Sequence, residues 1–249
     1  KMGNIDMDTT ITHRLIDDIP VYEMYSKETK LSPIMIFLHE HEGSKEQFID
    51  EATVYVQAGF FCVLFDLYGY GERTVSESVE SIESAVIASK DIDLLLEYYR
   101  LSPYVDSEKV ILYGHSMGGS AIWHYLAYGD KTPLAVVVCS SAVDFTKVED
   151  MGSVLNGKAQ EPAWDEATYR DYCRNNNPVN HLERFEKIPM LVYQGMLDTV
   201  ILPTYTQEFE RNISRTNKNA TFIYDESGGH NATGMFLNRI IPFIKSYVR

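Results

Sequence analysis

The sequence predicts an α/β fold: a mostly parallel, twisted sheet with helices on both faces and a short inserted lid. Two observations carry that prediction. From residue 34 onward, apolar β-prone runs alternate with helix-length amphipathic stretches, the order that builds parallel strands joined by crossover helices. The runs themselves, such as Ile34-Met35-Ile36-Phe37-Leu38, are apolar without a break, as a strand must be when both its faces are covered. Length sets the scale: 249 residues are expected to form one domain over 1–249, with the lid inserted at about 141–187.

Taken in order, residues 10–27 read as two strands joined by a turn near Asp17-Asp18. The first buried strand is 34–38. Residues 44–57 are helix-like, with Ser44 and Glu46-Gln47 resembling an N-terminal cap. A second buried strand, 60–65, ends at Asp66. Residues 81–99 carry Ile82, Ala85, Val86, Ile92, Leu95 and Leu96 on one face of a long helix. A strand then runs into Gly114-His115-Ser116-Met117-Gly118, and a helix follows to about 128. Residues 134–139 form another apolar strand. Residues 141–187 are polar, aromatic-containing and weakly periodic, too long for an ordinary connection, and read as a lid with short helices. Strand 190–194, helix 204–215, strand 220–224 and helix 233–248 complete the chain.

Charge narrows the partners. Acidic residues outnumber basic ones 36 to 22, a net charge of -14, which disfavours nucleic acid and anionic membrane because both need a basic footprint. No segment approaches the roughly 18 apolar residues of a membrane span. Cys62 and Cys139 lie in apolar runs and read as core residues, whereas Cys173 sits in a polar stretch. The three fit no disulfide or metal framework. With no leader-like apolar start, the expected compartment is the cytoplasm. The sequons at Asn212, Asn219 and Asn231 fit that expectation, because a glycan at Asn231 would obstruct His230.

The chemistry centres on Ser116. A strand, a turn flanked by Gly114 and Gly118, and a helix would hold its hydroxyl above the sheet, with the helix N-terminus aimed at a developing oxyanion. A neutral hydroxyl needs a base, and the base needs a third group to fix its tautomer. Asp198 follows strand 190–194 and His230 follows strand 220–224, so both arise at the sheet edge that carries Ser116. Asp144 is the substitute acid. Asp66 is expected to brace the loop 68–73, and His115 to point away from the reaction. His13, His124 and His181 are assigned to other surfaces. The oxyanion is expected to be held by the Met117 N–H and by a second N–H from the loop 39–44.

These motifs together resemble the α/β-hydrolase family. The nearest flavour is the bacterial esterases related to dienelactone hydrolases and the catalytic domains of prolyl-oligopeptidase-type peptidases. The resemblance spans roughly residues 30–248. It rests on Leu38-His39 with Gly43-Ser44-Lys45-Glu46, on Asp66 with Gly69-Tyr70-Gly71-Glu72, and on Gly114-His115-Ser116-Met117-Gly118-Gly119. Pro189, Gly195, Asp198 and Gly229-His230 complete it. It implies Ser116 as nucleophile, Asp198 as acid and His230 as base. Two departures stand out. The family commonly has His-Gly where this chain has His39-Glu40, followed by His41, the second oxyanion donor, and Glu42. Dienelactone hydrolases proper use cysteine where this elbow has serine.

The expected activity is hydrolysis of small-molecule carboxylic esters with small acyl groups, through an acyl-enzyme, with no metal and no organic cofactor. A small peptidase or amidase is one alternative, and a catalytically silent binding protein is another. Glu40, Tyr68, Tyr70 and Trp164, with Tyr169 and Tyr172, are the candidate substrate-binding residues. Glu40 and Glu42 would disfavour anionic substrates if their charge reached the site.

Overall fold

In the computed structural model, residues 9–28, 30–148 and 164–248 are described. Eight strands form one sheet: β1 (Thr9–Ile16), β2 (Ile19–Ser26), β3 (Ser32–Leu38), β4 (Phe61–Phe65), β5 (Val105–His115), β6 (Ala135–Cys139), β7 (Met190–Gly195) and β8 (Ala220–Asp225). Their spatial order is β1-β2-β4-β3-β5-β6-β7-β8. The first hairpin pairs antiparallel and β2 joins β4 antiparallel, while every other pairing is parallel. The hairpin turn puts Asp17 at φ 53, a left-handed conformation that Asp tolerates.

Unbroken apolar runs make sense once the two faces are separated. Ile34, Ile36 and Leu38 of β3 join Phe61, Val63 and Phe65 of β4 in one core, and Met35, Phe37, Cys62 and Leu64 point into the other. Helices α2 (Ser81–Tyr99), α3 (Met117–Tyr128) and α5 (Pro203–Ile213) cover the first face through Leu95, Trp123 and Phe209. Helices α1 (Ile49–Gln57) and α6 (Gly234–Lys245) cover the second through Tyr55, Phe236 and Ile240. Two cores on one sheet, filled by alternate residues of the same strands, require apolar side chains at every strand position.

Chain direction positions the site. From β3 the chain moves outward to β4, then returns past β3 to β5 and proceeds the other way through β6, β7 and β8. The strand order therefore reverses between β3 and β5. A crevice opens at such a reversal, beyond the carboxyl ends of the strands. The loop after β3 and the Ser116 turn after β5 are its two walls.

Two expectations need correction. The helix expected over 44–57 is a 3-10 turn, Lys45–Phe48, followed by α1, and Ser44 makes no side-chain cap. The cause is Asp66, whose Oδ1 accepts the Lys45 N–H at 2.8 Å and whose Oδ2 accepts Lys45 Nζ at 2.8 Å. That grip draws Lys45 inward, leaving it 1% exposed, and sets the backbone before a helix can start. Cys173, read as part of a polar stretch, is fully buried.

The lid expected at 141–187 lies in part, 149–163, outside the described residues. Its described portion holds the turn Phe145–Lys147, helix α4 (Glu166–Asn175) and the 3-10 segment Pro178–Phe185. Cys173, Phe145 and Val148 form a third cluster with Ile82 and Val86 of α2 and with Ile201, and Tyr169 and Tyr172 pack on it. Among the described residues, no helix is long and apolar enough to cross a membrane.

Candidate active site

Ser116 occupies a strained turn. Its φ of 52° and ψ of -115° are costly for a residue with a Cβ, and the surroundings hold it there. Its N–H donates to the Cys139 carbonyl at 2.9 Å, carrying the β5–β6 pairing into the turn. A Cβ on Gly118 would lie 2.1 Å from the Leu38 carbonyl oxygen, so glycine is what lets α3 approach the end of β3. As the first residue of α3, Met117 has an N–H with no intrahelical acceptor.

The structure brings Ser116, His230 and Asp198 into one hydrogen-bonded line. Ser116 Oγ lies 2.9 Å from His230 Nε2, and His230 Nδ1 lies 2.9 Å from Asp198 Oδ2. With the proton on Nδ1, the ring donates to Asp198 and accepts from Ser116. Asp198 is fixed in turn: its Oδ1 accepts the N–H groups of Val200 and Ile201 at 2.8 and 3.0 Å, and Gln194 Nε2 donates to Oδ2 at 3.3 Å. Thr206 Oγ1 orients Gln194 at 2.8 Å. Sequence reasoning missed these two supports. The available signal was a buried polar residue ending an apolar strand four positions before Asp198. Asp144 takes no part, because its Oδ1 accepts from Thr146 and Asn177 instead.

Burial would raise the Asp198 carboxyl, but the bonds from His230, Val200 and Ile201 outweigh it and hold the group below its ordinary value. A depressed carboxylate stabilises the fold above the unfolded-state value, about 3.9, and that contribution is lost as pH falls through the folded value. The stability difference between wild type and Asp198→Asn, read from urea melts, is therefore expected to be constant near neutrality and to shrink below about pH 4.

The loop after β3 is held from several directions. His39 Nδ1 donates to the Glu40 carbonyl at 2.7 Å, and His39 Nε2 accepts the Leu67 N–H at 3.0 Å. His41 Nδ1 accepts from Tyr70 Oη at 2.7 Å, and Ser81 Oγ lies 3.0 Å from the same nitrogen. Desolvation lowers the His41 value and keeps the ring neutral for that acceptor role, and burial pushes Tyr70 up to about 12. Among the described residues the His41 N–H donates to no protein acceptor. The left-handed position in this loop is Glu42, at φ 59, and Glu42 is exposed.

His115 does not point away. Its Nε2 is 2.9 Å from the His230 carbonyl oxygen and its Nδ1 is 2.9 Å from Glu40 Oε2, with its ring centroid 5.0 Å from that of His230. Glu40, expected to touch substrate, is paired with His115 and accepts from Gln47 Nε2 at 3.2 Å. Its charge is therefore offset locally. Among the described residues, Glu40, His115 and His230 also form a group whose ligand atoms lie within 4.8 Å of one another. Each of the three side chains is already engaged in the hydrogen bonds above, so a cation could enter only by displacing them.

The aromatic candidates divide. Tyr70 reaches the site through His41, while Tyr68 lies under the Arg73 guanidinium at 5.7 Å. Trp164 packs edge-on against Tyr172 at 4.7 Å, as part of the lid's own packing. His124 is buried on α3 against Tyr128, and desolvation lowers it to about 4.

The family model described as the prolyl oligopeptidase family matches residues 46–247, a span that holds Ser116, Asp198 and His230 and begins past the loop at 39–43. YitV of Bacillus subtilis, whose name proposes an esterase, is 20% identical over 96% of this chain and 99% of its own length. Among solved structures, TT1662 from Thermus thermophilus superposes with a TM-score of 0.77 at 16% identity, covering 98% of this chain and 99% of that one. A puromycin-hydrolyzing peptidase of Mycobacterium tuberculosis superposes at 0.80 and 16% identity, covering this whole chain (100%) but 41% of its own. These structural likenesses, with the strand order, make the fold that of the α/β-hydrolases.

Proposed function

The chain belongs to the prolyl oligopeptidase family and is a hydrolase of the esterase and peptidase type; from that premise we propose that it is a serine hydrolase that cleaves carboxylic esters of small acyl groups. The observation that carries the reading is the line from Ser116 Oγ through His230 to Asp198, with 2.9 Å at both links. Ser116 Oγ attacks the ester carbonyl as His230 Nε2 takes its proton, and Asp198 steadies the imidazolium that forms. The N–H groups of Met117 and His41 bind the oxyanion. His230 then protonates the departing alcohol, and the acyl group stays on Ser116. Water, deprotonated by His230, attacks the acyl carbonyl and returns the serine and a free carboxylic acid.

The ester reading is placed ahead of an amide reading on likeness: YitV, whose name proposes an esterase, is similar over 96% of this chain. Buried free thiols at Cys62 and Cys139 support a reducing compartment, and we place the protein in the cytoplasm.

Kinetics with p-nitrophenyl acetate, butyrate and octanoate, set against alanyl and leucyl p-nitroanilides, test the proposal. Acetate or butyrate is expected to give the highest kcat/KM, at least about 100-fold above either anilide, a difference of about 2.7 kcal/mol in transition-state stabilisation. Anilide turnover equal to that of the esters would replace the ester reading with the peptidase one.

A further inference from the structure

His115 sits beside the reacting groups and the proposed chemistry does not use it. It is buried, yet both its ring nitrogens face acceptors: the His230 carbonyl oxygen at Nε2 and Glu40 Oε2 at Nδ1. A carbonyl oxygen can only accept, so Nε2 carries a hydrogen. Opposite a carboxylate, Nδ1 shares a proton as well. Two donors on one imidazole make an imidazolium.

We infer that His115 is a positioning residue: a two-armed donor that ties the backbone of His230 to Glu40, holding base and oxyanion loop in register over Ser116. The inference rests on the serine-hydrolase reading above. Its physical basis is that the loops after β3 and β8 meet at His115, the last residue of β5, whose ladder pairing is to Cys139 of β6 and whose side chain is the contact to both loops. Glu40 is one residue from His41, so a bond at Glu40 also fixes where the His41 N–H points. On the other side, His230 is anchored at Nδ1 by Asp198 and at its carbonyl by His115. Two anchors on different atoms fix both the placement and the rotation of the ring, which a single side-chain bond would leave free.

The charges around His115 come from four elements. Glu51 lies on α1, His39 and Glu40 on the loop after β3, Asp198 on the loop after β7 and His230 on the loop after β8. Burial alone would lower His115, but its bonds to Glu40 and to the His230 carbonyl outweigh that and raise it. The His115 bond in turn holds Glu40 below its ordinary value. A raised histidine keeps its proton through neutrality and loses it as pH climbs through the folded value. The Glu40 arm then opens, and turnover falls on an alkaline limb.

The test compares pH profiles of kcat and KM for wild type, His115→Phe, His115→Gln and Glu40→Gln. His115→Phe removes both donors and is expected to lower kcat about 10- to 100-fold, with KM within about two-fold, and to erase the alkaline limb. Glutamine can still reach the His230 carbonyl but restores no charged second arm, so His115→Gln is expected to recover part of kcat, also without the limb. Glu40→Gln is expected to move the limb to lower pH. Histidine 15N shifts in the wild type provide a readout independent of variant folding, with both His115 nitrogens expected to be protonated at about pH 7. A neutral His115 there, a limb that survives His115→Phe, or a change confined to KM would overturn the inference. Ser116→Ala separates the two levels. If it retains turnover, the serine-hydrolase reading fails; if it is dead while His115→Phe matches wild type, only the positioning role fails.

Discussion

Replacing Ser116 with alanine is expected to lower kcat on a p-nitrophenyl ester by about 10⁴- to 10⁶-fold while the melting temperature stays within about 2 °C of wild type. The loss is large because, among the described residues, Ser116 Oγ is the one oxygen hydrogen-bonded to His230 Nε2, at 2.9 Å. The fold is spared because alanine keeps the Cβ at the same strained φ of 52°, and the Ser116 N–H still reaches the Cys139 carbonyl. His230 is part-exposed, so water can replace the lost hydroxyl. Residual activity should come from binding and the oxyanion donors. Groups acting as one unit do not add, so Ser116→Ala/His230→Ala should be about as slow as either single change. Labelling with a fluorophosphonate probe should disappear in the Ser116 variant. Persistent labelling would move the nucleophile elsewhere.

The largest stability loss is expected for Asp66→Ala. Asp66 is fully buried and binds the Lys45 ammonium, the Lys45 N–H and the Glu72 N–H, the last at 2.9 Å. Lys45 is equally enclosed, over the Tyr22 ring at 4.8 Å, with Glu46 and Glu72 as its remaining ionic partners. Desolvation works to lower Lys45, but its bonds to Asp66, Glu72 and Glu46 raise it, so it is charged throughout the neutral range. Removing Asp66 leaves a buried cation short of its best partner and two backbone N–H groups unpaired. Such changes cost about 3–5 kcal/mol. At roughly 2–4 °C per kcal/mol for a chain of this size, the melting temperature should fall by about 6–20 °C. Urea melts should show a lower midpoint at an unchanged slope. A midpoint equal to wild type would mean that Lys45 finds compensation in Glu72 and Glu46. Gly71 belongs to the same device: at φ 55, a Cβ there would sit 2.2 Å from Asp66 Oδ1, so the loop can wrap the carboxylate only as glycine.

Much of this architecture was legible in the chain because local pattern and global fold agree. The helix expected over 81–99 is α2 to the residue, and the strands after residue 34 lie within a few residues of their expected bounds. Buried strands announce themselves when both faces must be apolar. Ser116, Asp198 and His230 could be nominated because parallel topology sends the ends of β5, β7 and β8 to one edge. Failures came where a long-range polar contact overrode a local signal. Ser44 looked like a cap, but Asp66, 21 residues after Lys45, set the backbone. His115 was expected to point away from the reaction at the Ser116 turn, yet a loop 115 residues away supplied the carbonyl that holds it.

The sequence by itself determined the sheet, its chain direction and which edge would carry the chemistry, because hydrophobic period and strand–helix order are properties of neighbours along the chain. Only the tertiary structure decided which polar atoms meet. That Glu40 pairs with His115, that Gln194 and Thr206 steady Asp198, and that Lys45 is buried against Asp66 depend on loops from different strands closing to within 3.3 Å. Hydrogen bonds are short-ranged and directional, so no periodicity in one segment encodes the partner that another segment will supply.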